Sequence, residues 1–285
     1  MKNKIIRMVT ITLFAVFSFF YTHKTIKLLK DIDPIMKEIK KEKIKYEQPS
    51  KNAEIFNDEI IPGYSGIKVD TDKSYIQMKK MNKYNANYYI YKNVSPTISI
   101  NNNYDKYITK GNYLKNEVSL IFPIKKESTL LQDIYQILEN KNIYGTFFID
   151  GIYIKEHNNE IYTLVDDGHE VEVLSYNNNN QKEDIDTARK ELKNVINSQG
   201  NYCLTNTKDE TVLEICKNNN MYTVIPTFIV NSFYDLKNNL ESGNIIEIKE
   251  DLIRELSTYI NYIKQKGYNI VTLEELLNEN RTMEK

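Results

Sequence analysis

Tryptophan is absent from this 285-residue chain, cysteine occurs twice and histidine three times. Cys203 and Cys216 form no C-x-x-C pair and have no histidine beside them, so a structural zinc site of the Cys/His kind is excluded. Charge of one sign is also lacking. Lys and Arg number 38 against 39 Asp and Glu, and no basic stripe is interleaved with aromatics, so no nucleic-acid partner is expected. No cofactor is expected either. Without tryptophan, any stacking platform for a ligand falls to the 22 tyrosines.

Long hydrophobic runs are missing except at the start of the chain. There, basic Lys2, Lys4 and Arg7 precede an apolar run from Met8 to Tyr21. As a helix, the span from Ile5 to Thr22 rises about 27 Å, enough to cross a hydrocarbon core if Arg7 snorkels. Bulky Phe19, Phe20 and Tyr21 stand where a cleaved signal peptide needs small residues, so an uncleaved signal anchor is expected over residues 1–23. Lys24, Lys27 and Lys30 follow as closely as the first basic residues precede, and charge leaves orientation open. A charged stalk and linker is expected over 24–58, although Ile32, Ile35, Met36 and Ile39 recur at helical spacing.

What the chain does have is 41% hydrophobic content, which supplies a core for one large α/β domain or two modest ones. Asp70 or Asp72 offers a helix cap, and "NYYIYKNV" and "PTISI" read as short strands of a small α+β extension over 59–116. From Val118 onward strands alternate with helices. The strands are "VSLIF", "YGTFFID", "HEVEVLS", "YCLT", "YTVIPTFIV", "NIIEIK" and "YNIVTL", and the alternation implies a parallel sheet able to curl into a barrel. In "VSLIFPIKKE" Pro123 removes a backbone donor and is expected to close its strand. Runs such as Asn177 to Asn180 read as turns.

The order and spacing of "VSLIF", "GTFFIDG", "LVDDGHEVEVLSY" and "KGYNIVTLEELL" resemble the polysaccharide deacetylase family, also called carbohydrate esterase family 4 or the NodB-homology domain. The resemblance covers about residues 118 to 278 and places the domain at 117–280. It implies a distorted (β/α) barrel that removes acetyl groups from N-acetylated sugars of peptidoglycan, chitin or related polymers. Family members are often held by a single membrane anchor, which places the bulk of this chain outside the cell membrane.

The family's chemistry needs a water made nucleophilic near neutral pH, and a bound divalent metal lowers its pKa toward about 7. The resemblance implies a metal held by an Asp of a T-F-D-D-G motif and two His of an H-[ST]-x-x-H motif, with the other Asp as base and a later His as acid. Here the base position is Pro123 and the metal-carboxylate position is Ile124. The two His positions hold Leu174 and Asn178, the acid position Lys249, and Cys203 replaces an Arg of a third motif. The "DDG" at Asp166, Asp167 and Gly168 precedes its strand and belongs to a helix–strand turn, with His169 as a structural group.

The expectation is therefore a pseudoenzyme of the cell envelope that binds a cell-wall glycan or plays a regulatory part, with Tyr176, Asn177 and Asn178 as glycan contacts. One alternative is a carbohydrate hydrolase using Asp150 and Glu172, against which Asp150 reads as a turn cap and Glu172 as a solvent-facing residue. Another is a scaffold that binds an envelope protein. Cys216 falls on an apolar helical face, which favours a buried thiol, while an external location leaves a disulfide to Cys203 open.

Overall fold

The structure is a computed structural model and describes residues 2–101, 103–175 and 181–281. The first part of the chain forms α1 (Lys2–Ile32), α2 (Pro34–Glu42), β1 (Glu54–Phe56), β2 (Glu59–Ile61), β3 (Gly66–Val69), α3 (Thr71–Lys80), β4 (Tyr91–Val94) and β5 (Tyr107–Ile108). Strand and helix then alternate through β6 (Glu117–Ile124), α4 (Leu131–Lys141), β7 (Thr146–Ile149), α5 (Gly151–Glu156), α6 (Asn158–Asp166), β8 (Glu170–Leu174), α7 (Gln181–Ile196) and β9 (Tyr202–Leu204). The last part holds α8 (Glu210–Asn218), β10 (Tyr222–Val224), β11 (Phe228–Val230), α9 (Phe233–Asn239), β12 (Ile245–Ile248), α10 (Leu256–Gln265), β13 (Asn269–Val271) and α11 (Leu273–Leu277). These elements make two compact units.

The smaller unit contains α1, α2, α3 and the antiparallel pair β3–β4. Asp33 caps α2 by accepting from the Ile35 amide at 2.9 Å, and Pro34 starts the helix where a missing N–H costs nothing. Ile35, Met36 and Ile39 are buried, and Ile35 and Ile39 pack with Val69, Met78 and Tyr89. Residues 34–42 are thus part of a packed unit and not the bare charged stalk their composition suggests. Asp70 is the cap of α3, accepting from the Lys73 amide at 3.0 Å. Among the described residues no helix is long and apolar enough to cross a membrane.

The larger unit is built on an eleven-stranded sheet in the order β1-β2-β5-β10-β9-β8-β7-β6-β12-β11, with β13 also pairing β6. All pairs are parallel except β1–β2. The sheet curls into a half-barrel with free edges at β1 and β11, so the expected barrel is distorted to the point of being open. Residues 50–65 and 95–116 belong to this unit, since β1, β2 and β5 extend its sheet. The expected linker and extension boundaries at 58 and 116 differ accordingly, and "PTISI" forms no strand. "YTVIPTFIV" makes two strands, β10 and β11, on either side of Pro226.

Strand alternation sorts the core into two layers. Leu120, Phe122, Ile124, Phe147, Ile149, Val171, Val173 and Cys203 face the helices, while Ile121, Phe148, Leu174, Tyr202, Leu204 and Ile245 face the half-barrel interior, which α11 fills with Leu273, Leu276 and Leu277. Cys203 thereby points toward α8, where it is disulfide-bonded to Cys216. The free buried thiol is corrected by this pairing. In "GTFFIDG", Gly151 starts α5 against α7: a Cβ there would lie 2.5 Å from the Ala188 amide nitrogen. Only a glycine permits that approach.

Candidate functional site

The positions that the resemblance assigns to the family's active site fall at the C-terminal ends of β6, β8 and β12. Pro123 does not close its strand. It lies within β6, opposite Phe148 of β7, and Ile124 continues the pairing to Ile149. The reason is directional. The Ser119 amide donates to Asn244 on the β12 side, whereas the Ile124 carbonyl accepts from Asp150 on the β7 side, so alternate residues serve alternate neighbours. The Pro123 nitrogen falls on the β12 side, where pairing ends at Ile121, and its missing donor costs nothing.

Ile124 is fully buried in the layer beneath the helices, and Leu174 is fully buried in the half-barrel interior. Neither side chain carries a donor atom. These residues do not fit a divalent metal, and among the described residues no group of three or more His, Cys, Asp or Glu is placed to hold one. Lys249, at the acid position, is exposed at the end of β12 and donates to the Asn231 side-chain oxygen. Tyr176, Asn177 and Asn178 lie outside the described residues.

Asp150 and Glu172 are not assembled into an acid–base pair. Asp150, buried at the C-terminal end of β7, caps α5 by accepting from the amides of Ile152 at 2.8 Å and Tyr153 at 3.3 Å. Glu172 sits mid-strand and accepts at 2.7 and 2.9 Å from the amides of Asn201 and Tyr202, which lead into β9. It is buried, not solvent-facing as expected. Burial first, and then the neighbouring Glu170 charge, push its carboxyl well above the ordinary range. The inside of a half-barrel, and not solvent, lies on that face of "HEVEVL".

One ionisable residue near this end was not singled out from sequence. Glu247 of β12 lies opposite Ile121, on the interior face with Ile245, and is buried with its Oε2 lacking a hydrogen-bond partner. Burial pushes its carboxyl up to about 7 against the opposing fields of Lys249 and Lys125. The signal is present in "NIIEI", where a Glu takes an alternating place among residues of a buried strand.

Residues 110–223 match the sequence profile described as polysaccharide deacetylase. Wild-type BA3943 of Bacillus anthracis, a CE4 family pseudoenzyme, is 26% identical and superposes with a TM-score of 0.65, covering 88% of this chain and 97% of that one. These findings support a degenerate member of the polysaccharide deacetylase family. A BA3943 mutant with restored enzymatic activity is similar to the same degree, at 25% identity and a TM-score of 0.67 over 88% of this chain and all of that one. YlxY of Bacillus subtilis, an uncharacterised protein, is 24% identical over 283 residues, covering 91% of this chain and 88% of its own. PdaA of Bacillus subtilis, a family 4 carbohydrate esterase, shares only the fold at 20% identity, with a TM-score of 0.53 over 62% of this chain and 86% of PdaA. The polysaccharide deacetylase fold is thus retained, while the positions that the resemblance assigns to the metal carboxylate and the first His hold apolar side chains.

Proposed function

We propose that this protein is a catalytically inert polysaccharide deacetylase-like protein of the cell envelope that binds a cell-wall glycan or regulates its processing. The observation that carries this reading is the occupation of the base, metal-carboxylate and first His positions by Pro123, Ile124 and Leu174, the last two fully buried and without donor atoms. The similarity to a CE4 family pseudoenzyme over 88% of the chain supports it. In sequence, Tyr176, Asn177 and Asn178 follow β8 and supply a ring face and amides suited to sugar hydroxyls.

Display at the membrane through an N-terminal signal anchor is part of the same proposal. Ile11, Phe14, Phe17, Phe19 and Phe20 of α1 are exposed, and such a run calls for apolar cover. The Cys203–Cys216 disulfide suits an oxidising location outside the cytoplasm. The test is cosedimentation of full-length, detergent-solubilised protein with insoluble peptidoglycan and chitin. Retention that is weakened by joint Tyr176→Ala and Asn178→Ala substitution supports glycan binding. Wild-type protein that washes off as readily as the double variant overturns it in favour of a protein-binding scaffold.

A further inference from the structure

At the N-terminal ends of β9 and β10, the opposite strand ends from Pro123, Leu174 and Lys249, the larger unit holds a cavity of about 350 Å³. That volume lies at the small end of the range for ligand sites, which begins at about 300 Å³. Tyr202 and Tyr222, the first residues of the two strands, line it with ring centroids 5.9 Å apart, and Tyr104 backs Tyr222 at 4.6 Å. Ser99, Asn101 and Asn278 add hydroxyl and amide groups, and Glu274 of α11 adds an exposed carboxylate.

The walls are held in place before any ligand arrives. The buried Glu279 carboxylate accepts from the amides of Gly63 at 2.6 Å and Ile100 at 3.1 Å and from the Ser99 hydroxyl, and its own carbonyl accepts from the Ser65 amide at 2.7 Å. One side chain thus ties the loops around residues 63 and 100 to the segment after α11. A cavity fixed in this way needs little ordering on binding.

Its electrostatics are one-sided. Among the described residues no lysine, arginine or histidine lines the cavity. Nearby Lys115 is engaged elsewhere, donating to the carbonyls of Glu275, Leu276 and Asn278 and lying 3.2 Å from Glu117. Behind Tyr202, Glu170 and Glu172 project from β8 to the same interior. Glu170 accepts from the Thr146 hydroxyl at 2.7 Å and the Glu274 amide at 3.1 Å, which leaves its Oε1 without a partner. Burial first, and then the fields of Glu170, Glu172 and Glu274, hold the Tyr202 phenol above the ordinary range. Burial, with Glu274 adding to it, pushes Glu170 up to about 7. The exposed Glu274 carboxylate, with no basic side chain among the described lining residues and with tyrosine faces beside it, favours a cation, and a tyrosine ring face itself attracts one.

We propose that this cavity binds a small protonated amine that also carries hydroxyl groups, of the amino-sugar class. Ammonium is recognised by Glu274 and the tyrosine faces, and the hydroxyls by Ser99, Asn101 and Asn278. This site is separate from the strand ends to which glycan binding is assigned above. Its occupancy does not depend on that reading.

The test is a ligand-observed NMR titration of full-length protein in detergent with glucosamine as probe, and N-acetylglucosamine and glucose as neutral controls. Glu274→Gln removes the exposed charge, and Asn101→Arg places a cation at the mouth; both positions are exposed, and unchanged thermal unfolding verifies the fold. The expected result is saturable glucosamine binding, about tenfold weaker binding of both controls, and a loss of about tenfold or more in each variant. No saturable binding of glucosamine overturns the proposal. Equal binding of N-acetylglucosamine overturns the amine class, and glucosamine binding unchanged in both variants places the ligand elsewhere, which also overturns the site.

Discussion

The amide nitrogen of Asp150 donates to the carbonyl oxygen of Ile124 at 2.9 Å. This bond ties the end of β6 to the residue that caps α5, at the strand end to which the resemblance assigns the family's metal carboxylate. It keeps Ile124 in register with Ile149 and leaves its side chain fully buried under the helices. Ile124, which the resemblance sets at the metal-carboxylate position, is part of the core.

Ile124→Asp alone is therefore expected to destabilise the larger unit, and not to create a metal site. A carboxylate replaces a buried aliphatic group with no cation or second ligand beside it, a cost of roughly 3 kcal/mol or more. Chemical denaturation with and without zinc checks this. Unchanged stability, or a large zinc-dependent stabilisation of the single variant, contradicts it.

Gly151→Ala is expected to cost about 1–3 kcal/mol, because its Cβ would lie 2.5 Å from the Ala188 nitrogen and α5 and α7 would have to separate. Thermal unfolding of the variant measures the loss. A neutral effect would mean that the two helices are less tightly apposed.

Reduction of Cys203–Cys216, 13 residues apart in sequence, is expected to lower stability by about 3 kcal/mol through the freedom restored to the unfolded chain. Unfolding midpoints with and without reductant measure it. No difference would show that the bond contributes little to the fold.

Two buried groups give opposite pH dependences. His169 accepts from the Gly145 amide through Nδ1, and burial lowers its pKa despite the opposing field of Glu139. The unfolded chain takes up this proton more readily, so the stability it contributes is complete above about pH 6.5 and falls as the pH drops below that. Glu247, pushed up to about 7, behaves in reverse: its burial costs nothing below about pH 4 and is felt increasingly as the pH rises to 7. Glu247→Gln should thus stabilise the protein at pH 8 by up to about 3 kcal/mol, with the gain vanishing near pH 4. Unfolding of the two proteins across this range decides it, and a pH-independent difference would contradict the buried-carboxyl account.

The alternating pattern after Val118 made the parallel α/β architecture legible, and motif order carried the family. The residue types at Pro123, Ile124 and Leu174 are plain in the sequence, and they carry the reading of lost ligands that metal analysis would test. Facing was harder to read. "HEVEVL" and "NIIEI" place glutamates where simple alternation assigns them to solvent, yet a curled sheet turns that face inward. The Cys203–Cys216 pairing and the burial of α2 depend on which helix covers which strand face, and local spacing does not specify that. The cavity beside Tyr202 and Tyr222 brings together segments near residues 65, 100 and 278 that no local pattern connects.

Metal content together with acetate release, measured on purified full-length protein supplied with zinc, cobalt or nickel and N-acetylated glycans, tests the central claim most directly. The account predicts no stoichiometric metal and no acetate above a heat-treated control. Stoichiometric metal with metal-dependent acetate release would contradict it.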